Sequence, residues 1–235
     1  FNFLNNYGLM SLSPVARLLR LFLNAKFKKK HINFKELYDL TGKTLHITAI
    51  NVSSTEEVLF NYKNTPDIDI VDACIASCSI PFIFLPVKIN GEYYMDAFAV
   101  NNYPCKFFCD DLENSIGIEI GNKYYNKINN FQDYIMNVFT SLKNYNYYNN
   151  RTKFLPKLNV SVDCEFNTIN LDIKKKDIEN IYIKGYNDAT ICIKDYLNKE
   201  EIKKTSQNNT ETEPKTELES EMETELESEM ETKLE

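Results

Sequence analysis

One carboxylate in this chain stands where a proton-transferring group would be placed, at the end of a strand. Asp96 follows the β-type run "YYM" in the segment "YYMDAFAVNNYP", and two asparagines and a proline come soon after it. A free carboxylate is a weak base with a pKa of about 3.9, so it activates a nucleophile only in a sheltered site with a short hydrogen bond. The other interpretation is that Asp96 caps the turn through its own backbone. The local sequence leaves both interpretations open.

The segments around Asp96 alternate between helical and strand patterns, which predicts an α/β layered domain. Ser13 as N-cap and Pro14 as the first helical residue predict a helix start, and Asn33 and Gly42 bound a second, short helix. Further elements are predicted from periodicity and turn signals: strands in "KTLHITAIN" and "EEVLFNYK", a helix after Asp67 or Asp69 that ends at Pro81, a hairpin around "NGE", a strand in "SIGIEIG", a helix in "FQDYIMNVFTSLKN", a strand in "PKLNVSVDC", and a helix from about Asp177 to Leu197 interrupted at Gly185.

The first of these helices has an apolar stripe and a basic end. The stripe has the spacing i, i+3, i+4, i+7 and i+8, and the basic residues cluster near it: Val15, Leu18, Leu19, Phe22 and Leu23, with Arg17, Arg20 and Lys26 to Lys30. One interpretation is a helix that turns its stripe to the core and its basic end to solvent. The other is an interfacial helix that meets anionic lipid headgroups.

The formal charge of −7 is an average over two unlike segments. Residues 205–235 contain 11 Glu and 2 Lys, which gives −9, so residues 1–204 carry +2. No basic, aromatic-interleaved face indicates a nucleic-acid binder, and no apolar stretch reaches the roughly 18 residues of a membrane span. These patterns predict an intracellular body, soluble or peripherally membrane-associated, with no nucleic-acid partner.

The acidic segment is of low complexity, and "ELESEMET" occurs at 217–224 and again at 225–232. Glutamates at every second position repel one another with almost no lysine to pair with, which predicts a disordered tail. The alternative is a helix that forms on a basic protein partner. The predicted organisation is therefore a folded domain at 1–204 and an acidic tail at 205–235.

Metal and cofactor sites are not indicated. The cysteine pairs Cys74/Cys78 and Cys105/Cys109 have i, i+4 spacing rather than the spacing of zinc ribbons, and His31 and His46 are the only histidines. The six cysteines are interpreted as reduced thiols, which fits an intracellular setting. His46 alternates with the apolar residues of its strand and is a poor candidate for a base.

Several segments, taken in order, resemble the patatin-like phospholipase family. They are "FKELYDLTGKTLHITAIN", "TPDIDIVDACIASCSIPFIFLPVKING", "YYMDAFAVNNYP" and "IENIYIKGYNDA", and the resemblance extends from about Tyr7 to Leu197. It implies an α/β/α layered domain and a lipid acyl hydrolase with a Ser-Asp dyad that needs no metal or cofactor. Asp96 matches the dyad acid, and the implied substrates are phospholipids or other acyl lipids, met by peripheral membrane contact.

Two departures from the family pattern bear on activity. Ala97 and Phe98 stand where the family has glycines, and a backbone with positive φ would be strained there by about 1 kcal/mol or more per residue. No Gly-x-Ser-x-Gly nucleophile elbow is present, because the only glycines four apart, Gly117 and Gly121, enclose Glu119. The resemblance places the serine and the oxyanion glycines upstream of Phe1.

The leading hypothesis is thus the C-terminal part of a patatin-like lipid acyl hydrolase, with its fold incomplete at the N-terminus and inactive by itself. The alternative is a non-catalytic lipid-surface or protein-binding module derived from this fold. A sheet without its nucleophile-bearing strand exposes an edge and an apolar face, which predicts poor solubility.

Overall fold

The structure is a computed structural model and describes residues 3–122, 128–150, 155–164 and 174–210. Helices and strands are mixed along the chain, which confirms the predicted α/β class. The elements are α1 (Phe3–Asn6), α2 (Ser13–Phe27), α3 (Phe34–Thr41), β1 (Ile47–Asn51), β2 (Glu56–Phe60), α4 (Ile70–Ala76), β3 (Val87–Ile89), β4 (Glu92–Met95), α5 (Phe98–Asn101), a 3₁₀ helix (Cys105–Asn114), β5 (Ile116–Asn122), α6 (Phe131–Asn150), β6 (Leu158–Cys164) and α7 (Lys175–Thr210).

The chain divides into two compact units. The first contains Phe1–Glu113 and Tyr125–Leu155, and the second contains Asn114–Tyr124 and Pro156–Glu235. Asp96 and the residues to which it is hydrogen-bonded, Ser79 and Phe98, lie in the first unit. The acidic tail predicted from the sequence lies, from Glu211 onward, outside the described residues.

The first unit is built on a four-stranded antiparallel sheet with the order β2-β1-β4-β3. The predicted hairpin between β3 and β4 is confirmed, and its turn has positive φ at both central residues, 50° at Asn90 and 93° at Gly91. An Asn-Gly pair adopts this type I′ geometry at little cost, and its twist matches that of the flanking strands. The turn therefore directs β4 back along the sheet and brings Asp96 to the end of an interior strand.

The core of this unit lies between the sheet and helices α3 and α4. Its buried apolar residues are Ile32, Phe34, Ala49, Phe60, Ile70, Ala73, Ala76 and Ile89. Helix α3 begins with the predicted cap at Asn33, which forms a capping box with Glu36, and it ends at Gly42 in the left-handed conformation. Small buried residues on α4 let it approach the sheet closely.

Helix α4 starts as predicted and ends earlier than predicted. The Asp69 side chain accepts a hydrogen bond from the Val71 N–H at 2.9 Å, which makes Asp69 the N-cap. The helix ends at Ala76, whereas the sequence predicted an end at Pro81. Turn hydrogen bonds from the N–H groups of Cys78, Ser79 and Ile80 already replace the helical pattern before the proline is reached.

Helix α2 differs from its prediction in its start and in the face that it buries. It begins at Ser13 with Leu12 as N-cap, one residue earlier than predicted. Leu23 and Phe27 pack against the core, whereas Val15, Leu18 and Phe22 are exposed, so most of the predicted stripe does not face the core. The cause is a contact to α4, where the Arg20 guanidinium binds Asp69 and Asp72 and determines which side of α2 faces inward.

The second unit contains the parallel pair β5 and β6, with Ile116 opposite Leu158 and Asn122 opposite Cys164. Helix α7 packs on β6 and runs without a break through Gly185, so the predicted interruption there is wrong. A Cβ atom on Gly185 would lie 4.0 Å from the Val162 side chain, an ordinary van der Waals distance, so this contact does not require a glycine. In the described part of the chain, no helix combines the length and apolar character needed to cross a bilayer.

Candidate active site

Asp96 immediately follows the last residue of β4, and two hydrogen bonds hold it there. Its N–H donates to the Ser79 carbonyl at 2.9 Å, and its Oδ1 accepts from the Phe98 N–H at 2.8 Å. The second bond is the side-chain cap expected of an aspartate that begins a turn. No donor among the described residues reaches the other carboxylate oxygen, so one oxygen is used by the turn while the second remains for another partner.

Burial raises the pKa of the Asp96 carboxyl to about 6, and the Phe98 N–H bond opposes that rise. A carboxylate with a pKa near 6 is a better proton acceptor at neutral pH than an ordinary aspartate, and it is still mostly ionised there. The charge of Asp96 also affects the Cys78 thiol, whose pKa is raised first by desolvation and then by Asp96. This carboxyl group has the electrostatic setting of a general base.

An apolar cavity of about 300 Å³ adjoins the strand end that carries Asp96. Met95 and Ser79 form part of its wall, and these are the residue before Asp96 and the residue whose carbonyl Asp96 binds. The full lining is Tyr7, Val52, Ser79, Pro81, Phe82, Phe84, Pro86, Tyr93 and Met95. The Ser79 hydroxyl is already engaged, because it donates to the Ile75 carbonyl at 2.7 Å. The cavity is at the small end of ligand sites, and its lining suits a hydrocarbon chain.

One wall of the cavity depends on a close backbone contact near the start of the chain. The N–H groups of Leu9 and Met10 donate to the Ile83 carbonyl at 3.1 and 2.9 Å. A Cβ atom on Gly8 would come within 2.4 Å of the Phe84 carbonyl oxygen, so only glycine permits this approach. Neither Tyr7 nor Gly8 was predicted from the sequence to be a site residue, and the scarcity of glycine was the only signal for Gly8.

The residues that replace the family glycines are accommodated without backbone strain. Ala97 has φ −83° and ψ 1°, so the positive φ on which the strain prediction depended does not occur. Its side chain is 3% exposed, which leaves little room for a larger residue. The Phe98 ring packs 5.6 Å from the Phe139 ring, and Phe98 does not line the cavity.

A carboxylate on β2 holds the loop that follows Asp96. Glu57 accepts a hydrogen bond from the Asn101 side chain at 2.6 Å through one oxygen, and Lys106 contacts the other oxygen. The Asn101 N–H also donates to the Ala97 carbonyl at 2.8 Å. Glu57 therefore positions the loop, a role that the strand pattern of β2 gave no reason to expect.

The other residues considered from the sequence are not assembled with Asp96 into a metal site. No group of three carboxylate, imidazole or thiol side chains in the described residues is arranged to hold a metal ion. His46 lines a second cavity, of about 320 Å³, together with Cys74 and Cys78. Burial and then the charge of Lys63 lower the pKa of His46, so the charged form of this imidazole is disfavoured.

Comparison with known proteins identifies relatives of this chain. Residues 1–108 match the family model for patatin-like phospholipase. The chain is 28% identical over 201 residues to the probable lipid hydrolase 463L of Invertebrate iridescent virus 6, covering 84% of this chain and 65% of that protein. It is 28% identical over 184 residues to the uncharacterized protein R571 of Acanthamoeba polyphaga mimivirus, covering 73% of this chain and 61% of that protein.

A third relative is cellular. The triacylglycerol lipase ptl2 of Schizosaccharomyces pombe is 32% identical over 92 residues, which is 38% of this chain and 14% of the lipase. The chain thus spans less than two thirds of the length of each of these three relatives. The family match contains β1 to β4, Asp96 and the cavity lining. Over residues 1–108, therefore, the chain is similar to the patatin-like phospholipase family.

Proposed function

We propose that this chain is part of a lipid acyl hydrolase in which Asp96 is the acid of a Ser-Asp dyad. The observation that carries the proposal is a largely buried carboxylate at the end of an interior strand, next to an apolar cavity. The proposed substrates are acyl esters of phospholipids or related lipids, met at a membrane surface. Two relatives are named as a lipid hydrolase and a triacylglycerol lipase, which supports the substrate class.

In the proposed reaction, Asp96 orients a serine hydroxyl and accepts its proton while the serine oxygen attacks the ester carbonyl. The oxygen of Asp96 that is not bonded to the Phe98 N–H takes that proton, and the Phe98 bond holds the carboxylate in a fixed orientation. Collapse of the tetrahedral adduct breaks the ester C–O bond, and the departing alcohol oxygen takes the proton from Asp96. Water then hydrolyses the acyl-serine ester by the same steps, which releases the fatty acid and restores the serine. The acyl chain lies in the apolar cavity, where it displaces water. The serine belongs to a Gly-x-Ser-x-Gly segment that is not among the 235 residues, and the proposal places that segment upstream of Phe1.

The test uses the complete reading frame from which this chain comes. Translating the DNA upstream of Phe1 shows whether it encodes Gly-x-Ser-x-Gly ahead of this region. The purified complete protein is then assayed with a fluorogenic phospholipid, and Asp96→Asn is expected to lower kcat by about 10⁶-fold, the loss seen when the general base of a serine protease is removed. Asp67→Asn is the matched control, because Asp67 is an exposed aspartate of the same unit, and its activity should be unchanged.

Two results would contradict this proposal. One is a complete reading frame without a Gly-x-Ser-x-Gly segment, and the other is an Asp96→Asn variant that folds normally and keeps its activity. Thermal unfolding of both variants separates a catalytic loss from a folding defect.

A second candidate is a non-catalytic module that retains the fold and binds lipid surfaces. The observation that favours it is the exposed apolar side of α2, next to a run of lysines. A complete protein that binds vesicles and hydrolyses no acyl ester would support it over the hydrolase.

A protein-binding version of this module assigns the interaction to the acidic tail and a basic partner. Deleting residues 205–235 should then abolish partner binding, and an unchanged set of interactions would exclude this version.

A further inference from the structure

The outward side of α2 is apolar, unlike that of most surface helices. Four large apolar residues are exposed there: Val15 at 40%, Leu18 at 49%, Leu21 at 61% and Phe22 at 61%. At 100° per residue these positions fall within about one third of the helix circumference, so they form a single strip. We call this strip the outward face of α2.

Helix α2 cannot rotate to bury this face, because contacts on its opposite side fix its orientation. Arg20 Nη1 lies 2.9 Å from Asp69 Oδ2, and Arg20 Nη2 lies 2.9 Å from Asp72 Oδ1. Leu23 and Phe27 pack against the core on the same side as Arg20. The outward face is therefore presented by a helix whose orientation is determined by specific bonds.

Cations border the outward face, and acidic residues are absent from this stretch of sequence. Residues 1–35 contain seven lysines and arginines and no aspartate or glutamate. Three of the seven are ion-paired within the unit: Arg20 to Asp69 and Asp72, Lys29 to Glu36, and Lys35 to Asp39. Exposed Arg17 and Lys26 lie on either side of the face, and Lys28 to Lys30 continue beyond its end.

We infer that the outward face of α2 binds the surface of an anionic phospholipid bilayer. Apolar side chains that point away from the protein enter the boundary between headgroups and acyl chains, while the bordering lysines contact anionic headgroups. Long lysine side chains reach those headgroups while their methylene groups lie along the apolar surface. An apolar protein partner would need only the strip, whereas the exposed cations that border it, in a stretch of sequence with no acidic residue, match a negatively charged surface.

This inference deepens the proposed function, because an enzyme that acts on membrane lipids needs a surface that brings it to them. It is tested by lipid binding alone, so a failure to hydrolyse esters does not count for or against it.

The chain has no tryptophan, so one introduced residue reports on this face without background. In the full 235-residue chain, Phe22→Trp is mixed with vesicles of phosphatidylcholine alone or of phosphatidylcholine with phosphatidylserine. We expect a blue shift of the emission and quenching by brominated acyl chains with the anionic vesicles only. Leu197→Trp is the control, because Leu197 is 54% exposed on α7, and its emission should not change.

The contribution of the lysines is measured by neutralising them together. Each lysine near an anionic surface contributes about fivefold to the affinity at low salt, so Lys28→Gln, Lys29→Gln and Lys30→Gln combined should weaken vesicle binding by about 100-fold. The triplet Lys174 to Lys176 is also exposed, and its neutralisation is the matched control, with an expected change of less than about twofold. Binding of the unaltered chain to anionic vesicles should weaken as the salt concentration rises.

Several outcomes would overturn the inference. They are an unchanged emission of Phe22→Trp with anionic vesicles, an equal response of Leu197→Trp, and equal losses for the two lysine triplets. An emission that is already blue-shifted without vesicles, together with a dimer in sedimentation, would show instead that a second copy covers the face. Loss of vesicle binding in the complete protein would show that another part of that protein covers it.

Discussion

The Asp96 carboxyl destabilises the folded chain at neutral pH. Its pKa is about 6 in the folded state because burial disfavours the charge, and its ordinary value is 3.8. The folded state therefore holds the proton more tightly, and stability is lost as the pH rises from about 4 through 6. The difference amounts to at most about 3 kcal/mol at pH 7. Such a cost is common where a carboxylate is kept for chemistry.

Asparagine at this position should stabilise the chain at neutral pH. Asp96→Asn keeps an oxygen for the Phe98 N–H and removes the buried charge, so the free energy of unfolding at pH 7 should rise by about 1 to 3 kcal/mol. The difference from the unaltered chain should disappear toward pH 4, where the carboxyl is protonated. Urea denaturation at several pH values measures this difference, with Asp67→Asn, at an exposed position of the same unit, as the control. A gain at pH 7 that persisted at pH 4 would show that the buried charge is not its cause.

Among the elements, α2 depends most on one side chain for its position. Arg20 donates to both oxygens of Asp69, whose Oδ1 also accepts from the Val71 N–H and caps α4. Arg20 and Asp69 are about one fifth exposed, so their bonds are stronger than those of a fully solvated pair. The same contact orients α2 and begins α4.

Removing the guanidinium should loosen this pair of helices. Arg20→Met keeps much of the side-chain volume and leaves Asp69 without its main partner, so the free energy of unfolding should fall by about 1 to 2 kcal/mol. Lys35→Met is the control, because Lys35 pairs with Asp39 on the exposed side of α3, and its loss of stability should be much smaller than that of Arg20→Met. Thermal or urea unfolding compares the two variants, and equal losses would mean that the Arg20 contact does not hold α2 in place.

At the scale of the whole molecule, strand β5 of the second unit carries a row of solvent-exposed isoleucines. On β5, Ile116, Ile118 and Ile120 are 68%, 69% and 55% exposed, while Gly117 and the side chain of Glu119 between them are buried. This alternation is that of a strand with one covered face, and here the uncovered face is the apolar one. Contiguous exposed apolar surface of this kind promotes association.

Polar residues on this row should reduce self-association of the 235-residue chain. The triple variant Ile116→Thr, Ile118→Thr and Ile120→Thr keeps β-branched side chains suited to a strand and removes most of the exposed hydrocarbon. Sedimentation velocity should show a shift toward the monomer. The matched control replaces three exposed isoleucines of α7 by Ile178→Gln, Ile183→Gln and Ile202→Gln. The same shift in both variants would mean that association is not specific to β5.

The features that were predicted correctly from the sequence depend on neighbours along the chain. The Asn33 cap, the helix start near Asp67 or Asp69 and the Asn90-Gly91 turn each need only three or four consecutive residues. The position of Asp96 at a strand end follows from the same local signals. Its role as dyad acid remains a prediction that rests on family resemblance, and the complete protein will test it.

Contacts between distant residues determined what local patterns left open. Arg20 meets Asp69 across 49 positions and thereby turns the apolar face of α2 outward, against the predicted core-facing stripe. Glu57 meets Asn101 across 44 positions, and the cavity combines Tyr7 with Phe84 and Met95. Hydrophobic periodicity shows that a helix has an apolar face and a polar face, and the turn formers after β4 show that this strand ends just before a carboxylate. Which face is buried, and how acidic that carboxylate is, depends on what the rest of the chain packs against them.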